Sequence, residues 1–185
     1  MKTIDIRLAD SSDMSFLLDI FSSTAFVENG IRRVSEDALK KSVSDGFFFD
    51  FNSGNGFVVL FDKTTSHRMG AVKVSTSLRN QYVTISGGVT EEYYGTPHSR
   101  NFLRDVMMFL FLNYPIERVE MNILATNVRS VKFHHKMGFV QEGIKRRAWF
   151  NDGALQDQVV MGMLKTEFMK LYGATPLEKA LSLAC

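Results

Sequence analysis

The chain has little that could cross-link it or anchor it in a membrane. Its single cysteine is Cys185, so the sequence holds no disulfide framework, and no cysteine–histidine cluster has the spacing of a zinc site. The longest apolar run, residues 106–112, is far shorter than a membrane span, and charged residues interrupt the N-terminal segment where a signal peptide would be apolar. We therefore expect a cytoplasmic protein without a metal site and without a membrane partner.

The chain also lacks a strong excess of charge of either sign. Its 22 basic and 20 acidic side chains give a formal net charge of +2, which is too small to indicate a nucleic acid or an anionic membrane as a partner. A nucleic-acid partner is possible but not indicated. The hydrophobic content of 45% lets a chain of 185 residues bury a full core by itself. These figures favour a single compact domain.

Hydrophobic periodicity predicts strands and helices that follow one another along the chain. Strands are expected at residues 4–8, 56–62, 69–78, 81–89, 118–124 and 139–150, with a seventh after the turn Asn151-Asp152-Gly153. Helices are expected from the Asp10 and Asp13 cap to about Ser22, from Ser35, from Ser99 to Asn113, and from Asn127 to the stop at Gly138. The three strands between residues 56 and 89 have the spacing of antiparallel hairpins.

The unit from residue 118 onwards, a strand, a capped helix and a hairpin, resembles the C-terminal half of the GNAT acyltransferases. Its likeness is greatest to the branch that includes the ribosomal-protein N-terminal acetyltransferases. The residues that match are Asn127, Ser130, Lys136, Gly138, Phe139, Glu142, Gly143, Gly153 and Asp157. The resemblance implies an α/β fold with a mixed, mostly antiparallel central sheet of about seven strands flanked by helices.

The same resemblance implies transfer of an acyl group, usually acetyl, from acetyl-CoA to a primary amine by direct attack in a ternary complex. The acceptor could be a protein or peptide N-terminus, a small metabolite or a modified nucleotide, and the sequence does not choose among them. Residues 1–164 would form the acyltransferase domain, and residues 165–185 a helical extension. The capping box of Thr175 and Glu178 predicts a helix in this extension, which would pack on the domain or mediate a dimer, so a monomer and a homodimer both stay open.

Donor binding should depend on the loop at residues 91–100, because a helix N-terminus offers unpaired N–H groups to a pyrophosphate. The family pattern falls here on Tyr94, Pro97 and Ser99, and all three positions depart from the usual residues, which are arginine or glutamine, glycine, and glycine or alanine. Pro97 also lacks an N–H group. A different acyl donor, or a non-catalytic binding module with this fold, is therefore an alternative. The expected donor contacts are Gly95, Ser99, Arg100 and Asn101 and, by resemblance, Asn127 and Ser130.

Two residues are candidates for proton transfer. His134 occupies the position of a tyrosine that serves many family members as an acid, and an imidazolium with an ordinary pKa of about 6.5 could protonate the leaving thiolate. Glu91 is the candidate base, at the end of the strand that precedes the donor loop. Because adjacent strand residues point to opposite faces, we expect only one of Glu91 and Glu92 to face the site. The alternative is that His134 is an ordinary helix residue and that both glutamates only solvate a strand end.

Two further groups of residues could bind the acceptor. Lys145, Arg146 and Arg147, next to Trp149, could contact an acidic group, or they could be the charges that protect an exposed strand edge. The phenylalanines at 47, 48, 49 and 51 could line a pocket or pack in the core.

Overall fold

The computed structural model describes residues 4–31, 35–37, 40, 55–77, 81–151 and 153–173. Within these ranges, seven strands form one sheet. They are β1 (Ile4–Leu8), β2 (Asn55–Asp62), β3 (Arg68–Ser77), β4 (Tyr82–Val89), β5 (Arg118–Leu124), β6 (Val140–Asn151) and β7 (Ala154–Leu164). The helices are α1 (Met14–Ser22), α2 (Thr24–Glu28), α3 (Pro97–Asn113), α4 (Val128–Lys136) and α5 (Lys165–Tyr172). Short 3-10 turns at Ser11–Asp13 and Glu91–Tyr93 complete the framework.

The predicted strands are all present, and the predicted fold class is confirmed. The helix expected from Ser99 begins two residues earlier, at Pro97, because proline is well tolerated at the first helical position. The short helix α2 was not predicted. The helix expected after Thr175 lies outside the described residues, and so does the aromatic loop expected at residues 45–55, except for its last residue. The helix expected from Ser35 is described only in part.

The sheet is antiparallel except at one junction. The strand order is β1-β2-β3-β4-β5-β7-β6, and only β4 and β5 are parallel neighbours among the described strands. A parallel pair needs a crossover connection, and α3 supplies it between β4 and β5. The helix therefore begins just beyond the carboxyl end of β4, which is where the donor loop was expected.

The side chains of β2 show how the sheet divides the core. Val58 and Leu60 belong to a large cluster that contains the buried face of α3, whereas Phe57 and Val59 belong to a smaller cluster with Leu17 of α1. Neighbouring strand residues point to opposite faces, so the two clusters lie on opposite sides of the sheet. The helices α1 and α3 consequently cover different faces.

The extension after β7 begins as a packed helix. Phe168 of α5 is 1% exposed, and its ring lies 5.4 Å from that of Phe111 in α3. The hydroxyl of Tyr172 donates a hydrogen bond to the carbonyl of Met137 at 3.0 Å. Residues 165–172 thus contribute to the core, while the exact domain boundary stays a prediction.

A buried carboxylate fixes the start of α1 to the sheet. The side chain of Asp13 is 0% exposed and accepts hydrogen bonds from Arg7 of β1 at 2.6 and 2.9 Å and from Arg68 of β3 at 2.7 Å. It also accepts from the backbone N–H of Asp10 at 2.9 Å. Burial alone would raise the pKa of Asp13, but these donors lower it below the usual range.

We expect the substitution Asp13→Ala to lower the free energy of unfolding by about 3 kcal/mol, because it leaves two arginines without their buried partner. Urea denaturation would measure this change. Asp5→Ala is the matched control, since Asp5 and Lys63 form an exposed pair that should contribute less than about 1 kcal/mol. Equal effects of the two substitutions would show that the Asp13 cluster is not a structural anchor.

Candidate active site

The strands β4 and β5 pair over only a short stretch. Their register joins Tyr82 to Arg118, Val83 to Val119, and Thr84 to Glu120. Beyond these pairs, β4 continues alongside β3 to Val89 and β5 continues alongside β7 to Leu124, and no ladder pair joins residues 85–89 to residues 121–124.

The two strands therefore present facing edges with unpaired backbone groups at their carboxyl ends. Such groups need partners, and an extended ligand with amide groups can supply them. Gly87 lies in this part of β4 with φ +128°, a backbone conformation that other residues rarely adopt. The interior of the sheet thus offers a place for a narrow, amide-containing chain.

The loop before α3 lies at one side of this opening. Gly95 has φ +73° and nothing within 4 Å of the position that a Cβ atom would take, so the space next to its backbone is open. Thr96 is the N-cap of α3 but makes no side-chain capping bond, and the first turn contains no acidic residue. The hydroxyl of Ser99 donates to the carbonyl of Thr96 at 2.8 Å. The backbone N–H groups of this first turn, except at Pro97, are therefore candidates for binding an anion.

The start of α4 lies at the other side of the opening, directly after β5. Asn127 is its N-cap, as predicted, and its Oδ1 accepts from the backbone N–H of Ser130 at 3.1 Å. The amide Nδ2 of Asn127 donates no hydrogen bond to the residues that the structure describes, so this group can donate to a ligand carbonyl. The hydroxyl of Ser130 lies 3.3 Å from Nδ1 of His134.

The environment of His134 corrects the expectation of an ordinary pKa. Burial lowers the pKa of His134 to about 4, although a hydrogen bond to the Ser130 carbonyl opposes the effect. The rings of Phe133 and Phe139 lie edge-on to it at 5.0 and 5.6 Å. Because the carbonyl of Ser130 at 2.8 Å can only accept, Nδ1 carries the proton and Nε2 is left as an acceptor. A neutral ring of this kind is not a proton donor to a thiolate at neutral pH.

A cavity of about 370 Å³ lies between α1, the start of β3 and the loop after β4. Its acidic lining residues are Asp19, Glu91 and Glu92, and its aromatic ones include Phe16, Phe26 and Tyr94. Arg68 also lines it, but this guanidinium is held by the buried Asp13. The cavity wall is therefore more negative than positive.

The structure corrects the expected placement of Glu91 and Glu92. They lie in a 3-10 turn rather than at the end of a strand, so strand alternation does not separate them and both line the cavity. Glu92 lies 3.5 Å from His67 and accepts from the Thr90 hydroxyl at 3.2 Å. The side chains of Glu91 and Asp19 make no hydrogen bond or ion pair with the residues that the structure describes.

The predicted donor residues fall into two groups that the fold brings together. Gly95, Ser99, Arg100 and Asn101 lie in the loop and first turn of α3, and Asn127 and Ser130 lie at the start of α4. Arg129 joins the two groups, because its guanidinium carbon lies 4.4 Å from the centre of the Tyr94 ring. The sequence analysis missed both Arg129 and Asp19. A cation in the first turn of α4, where acidic residues are favoured, was the available signal for Arg129.

The basic segment at Lys145–Arg147 lies at the edge of the sheet, in β6. Lys145 donates to Asn122 at 2.9 Å, and the backbone N–H of Arg147 donates to Asp157 at 2.8 Å. The register shifts between Lys145 and Trp149, and Arg147 has φ +50°. This bulge in an exposed edge strand agrees with the edge-protection interpretation of the charges.

Comparison with known proteins agrees with this geometry. Residues 71–160 match the model of the family described as acetyltransferase (GNAT) domain. Residues 71–160 thus resemble a GNAT acetyltransferase domain. The chain is 32% identical over 85 residues to an SPbeta prophage-derived uncharacterized N-acetyltransferase of Bacillus subtilis (strain 168). That match covers 46% of the chain and 48% of the relative, so the chain spans about half the length of the curated relative it matches.

Solved structures share the whole GNAT fold with this chain. A spermidine N-acetyltransferase from Vibrio cholerae, in complex with CoA and spermine, has a TM-score of 0.80 at 16% identity, over 91% of this chain and 99% of that chain. A ribosomal-protein-S5-alanine acetyltransferase from Vibrio fischeri has a TM-score of 0.76 at 18% identity, over 91% of this chain and 96% of that chain. The resemblance inferred from the sequence is thus confirmed at the level of fold and family.

Neither a membrane-spanning helix nor a metal-binding cluster is found among the described residues. None of the helices within those ranges is both long and apolar enough to cross a membrane. No group of three or more histidine, cysteine, aspartate or glutamate side chains in the same part of the chain could hold a metal ion.

We expect His134 to titrate with a midpoint near 4 in an NMR experiment that follows the imidazole signals of the folded protein. Its folded pKa lies below the unfolded value of about 6.5. The unfolded state therefore binds the proton more tightly, and the associated stability, complete above pH 6.5, is lost as the pH falls towards 4. His134→Gln should lose less stability than the parent over this window. A midpoint near 6.5 would contradict the assignment.

Proposed function

We propose that the protein is an N-acetyltransferase that moves an acetyl group from acetyl-CoA to a primary amine of a cationic acceptor within a ternary complex. The observation that carries this proposal is the incomplete pairing of β4 and β5, with two helix N-termini at the open end. The GNAT domain match supports the reaction class. The similar Vibrio cholerae structure is named as a spermidine N-acetyltransferase, which supports the acceptor class.

The donor fits the opening in the sheet by its chemistry. The pantetheine arm carries amide groups, which can pair with the free backbone edges of β4 and β5 in the manner of an added strand. The phosphates can rest on the N–H groups at the start of α3, near Ser99 and Arg100. Asn127 can donate through Nδ2 to a carbonyl of the donor. The acetyl group supplied by the donor would then lie near the carboxyl ends of β4 and β5.

The acceptor fits the cavity on the other side of Tyr94. A di- or polyamine places alkyl segments against Phe16 and Phe26 and cationic groups near Asp19 and Glu91. The attacking nitrogen must first lose a proton, and Glu91 is the proposed acceptor of that proton because its carboxylate has no other described partner. The amine nitrogen then forms the new bond to the acetyl carbon, and the carbon–sulfur bond breaks with its electron pair leaving on sulfur. The nitrogen gives its second proton to solvent, so that the products are a neutral amide and a thiolate.

His134 is not assigned the acid role in this scheme. Its neutral ring can accept a hydrogen bond through Nε2 but has no proton to give there. An alkyl thiolate is a moderate leaving group, since a free thiol such as that of cysteine has a pKa of about 8.5, and solvent can protonate it after departure. A dedicated acid is consequently not required by the chemistry.

We expect acetyl-CoA to raise the melting temperature of the protein, because a ligand that binds only the native state stabilises it by about 2.7 kcal/mol at 100 times its Kd. Arg100→Glu should lose most of this shift, since it places a carboxylate beside the phosphates. Differential scanning fluorimetry measures both. No shift with millimolar acetyl-CoA would favour a different acyl donor or a non-catalytic module.

We expect Glu91→Gln and Asp19→Asn to raise the acceptor KM for spermidine about tenfold, because each removes one charge-assisted contact. Glu91→Gln should also lower kcat, whereas the KM for acetyl-CoA should not change in either variant. Steady-state assays of CoA release with spermidine measure these constants. The control is Glu117→Gln, because Glu117 is an exposed residue that lies just before β5 and does not line the cavity.

A preference for an acidic peptide over spermidine in the same assay would contradict the cationic acceptor. Such a result would favour the basic segment at Lys145–Arg147 as the surface that binds the acceptor. The donor site at the β4–β5 opening would be unaffected by that result.

A further inference from the structure

Arg129 is a cation that lies over an aromatic ring and has no anionic partner among the described residues. Its guanidinium carbon lies 4.4 Å from the centre of the Tyr94 ring, which is close enough for a cation–π interaction. No hydrogen bond or ion pair of its side chain is found with the part of the chain that the structure describes. By contrast, Arg7 and Arg68 are held by Asp13, and Arg118 by Glu142. Arg129 is exposed and oriented by the ring, so its guanidinium is available to an anion from solution.

The position of Arg129 in α4 also favours an anion close to its side chain. It is the second residue of the helix, whose first turn contains no acidic side chain. The N-terminal end of a helix carries partial positive charge, so a cation there is repelled and an anion is attracted. An anion bound at this point would interact favourably with both the helix end and the guanidinium.

The loop before α3 lacks the cation that Arg129 could replace. GNAT proteins usually carry arginine or glutamine at the position of Tyr94, and the glycine that follows three residues later is Pro97 here. The loop has thus lost one side-chain donor and one backbone N–H group. The ring of Tyr94 instead holds the guanidinium of Arg129, which comes from the neighbouring helix. The positive charge that the loop before α3 lacks is thus supplied by a side chain of α4.

The surroundings of Tyr94 are suited to this supporting role. Burial raises the pKa of Tyr94, Arg129 opposes that effect, and Glu91 adds to it, so the phenol is neutral at physiological pH. A neutral ring attracts the cation through its negative face. It does not form an ion pair, so the charge of the guanidinium stays available to an anion.

We propose that Arg129, positioned by the ring of Tyr94, binds a phosphate group of the acyl donor in place of the cation that the loop before α3 lacks. This inference rests on the proposed function, since it assumes that the donor is acetyl-CoA. It makes Arg129 a binding residue and Tyr94 a positioning residue.

The test is direct binding of acetyl-CoA to purified full-length variants by isothermal titration calorimetry. Arg129→Ala should raise the Kd about ten- to hundredfold, the usual effect of losing a charge-assisted hydrogen bond. Arg129→Lys should lie between, because an ammonium keeps the charge but cannot lie flat on the ring. Lys132→Ala is the matched control, since it removes the same charge one turn further along α4 and should change the Kd less than about threefold.

Two substitutions at Tyr94 distinguish the contribution of its ring to acetyl-CoA binding from that of its hydroxyl. Tyr94→Phe keeps the platform and should bind acetyl-CoA like the parent, whereas Tyr94→Leu should weaken binding several-fold. This pattern is not expected if Tyr94 contacts the donor through its hydroxyl. Circular dichroism and the melting temperature without ligand would verify that each variant is folded.

Repeating the titration with 3′-dephospho-CoA identifies the phosphate. If Arg129→Ala weakens binding of CoA and of 3′-dephospho-CoA equally, the contact is with the diphosphate, and if it weakens only CoA binding, the contact is with the 3′-phosphate. Both results support the proposal. It would be overturned by an Arg129→Ala variant that binds as tightly as the parent, or by an equal loss in Lys132→Ala. A parent that does not bind acetyl-CoA at all would instead refute the proposed function.

Discussion

The short pairing of β4 with β5 is the constraint on which the candidate site depends. Three register pairs join the two strands, and each strand then stays with its other neighbour. A sheet interrupted in this way exposes backbone groups in its interior, where they would otherwise be paired. The interruption also brings the start of α3 and the start of α4 to the same opening, because each helix follows one of the two strands. The proposed donor site is therefore a direct consequence of the sheet topology.

Charge is distributed unevenly around this opening, although the whole chain is almost neutral. The two helix N-termini and the side chains of Arg100 and Arg129 provide positive potential on the side proposed for the donor. The cavity with Asp19 and Glu91 provides negative potential on the side proposed for the acceptor. Tyr94 contributes to both, since it lines the cavity and holds Arg129. Such a separation favours an anionic donor and a cationic acceptor in adjacent places without mutual neutralisation.

The sequence predicted those features that depend on local patterns. Alternation located the strands, and the cap of α4 followed from Asn127 and the glycine stop at Gly138, since these signals are encoded within a few residues. The placement of Glu91 and Glu92 was wrong because nothing in the sequence distinguishes a strand end from a 3-10 turn at that point.

Features that depend on contacts between distant segments could not be predicted. The low pKa of His134 results from burial, to which Phe139 beyond the end of α4 contributes, and the hydrogen bond to the Ser130 carbonyl only partly opposes it. The contribution of Asp19 to the cavity depends on how α1 packs on β3, which the buried Asp13 cluster decides. The stacking of Arg129 on Tyr94 joins a helix to a loop more than thirty residues away in the chain, and no local pattern encodes it.

The central claim is that the opening between β4 and β5 is where the acyl donor binds. Hydrogen–deuterium exchange followed by mass spectrometry tests it most directly, because it reports protection of backbone N–H groups peptide by peptide. On addition of acetyl-CoA, we expect the largest slowing of exchange in peptides that cover residues 85–100 and 121–130. Slowing confined to other peptides, such as those of β1 or of the edge strand β6, would contradict it.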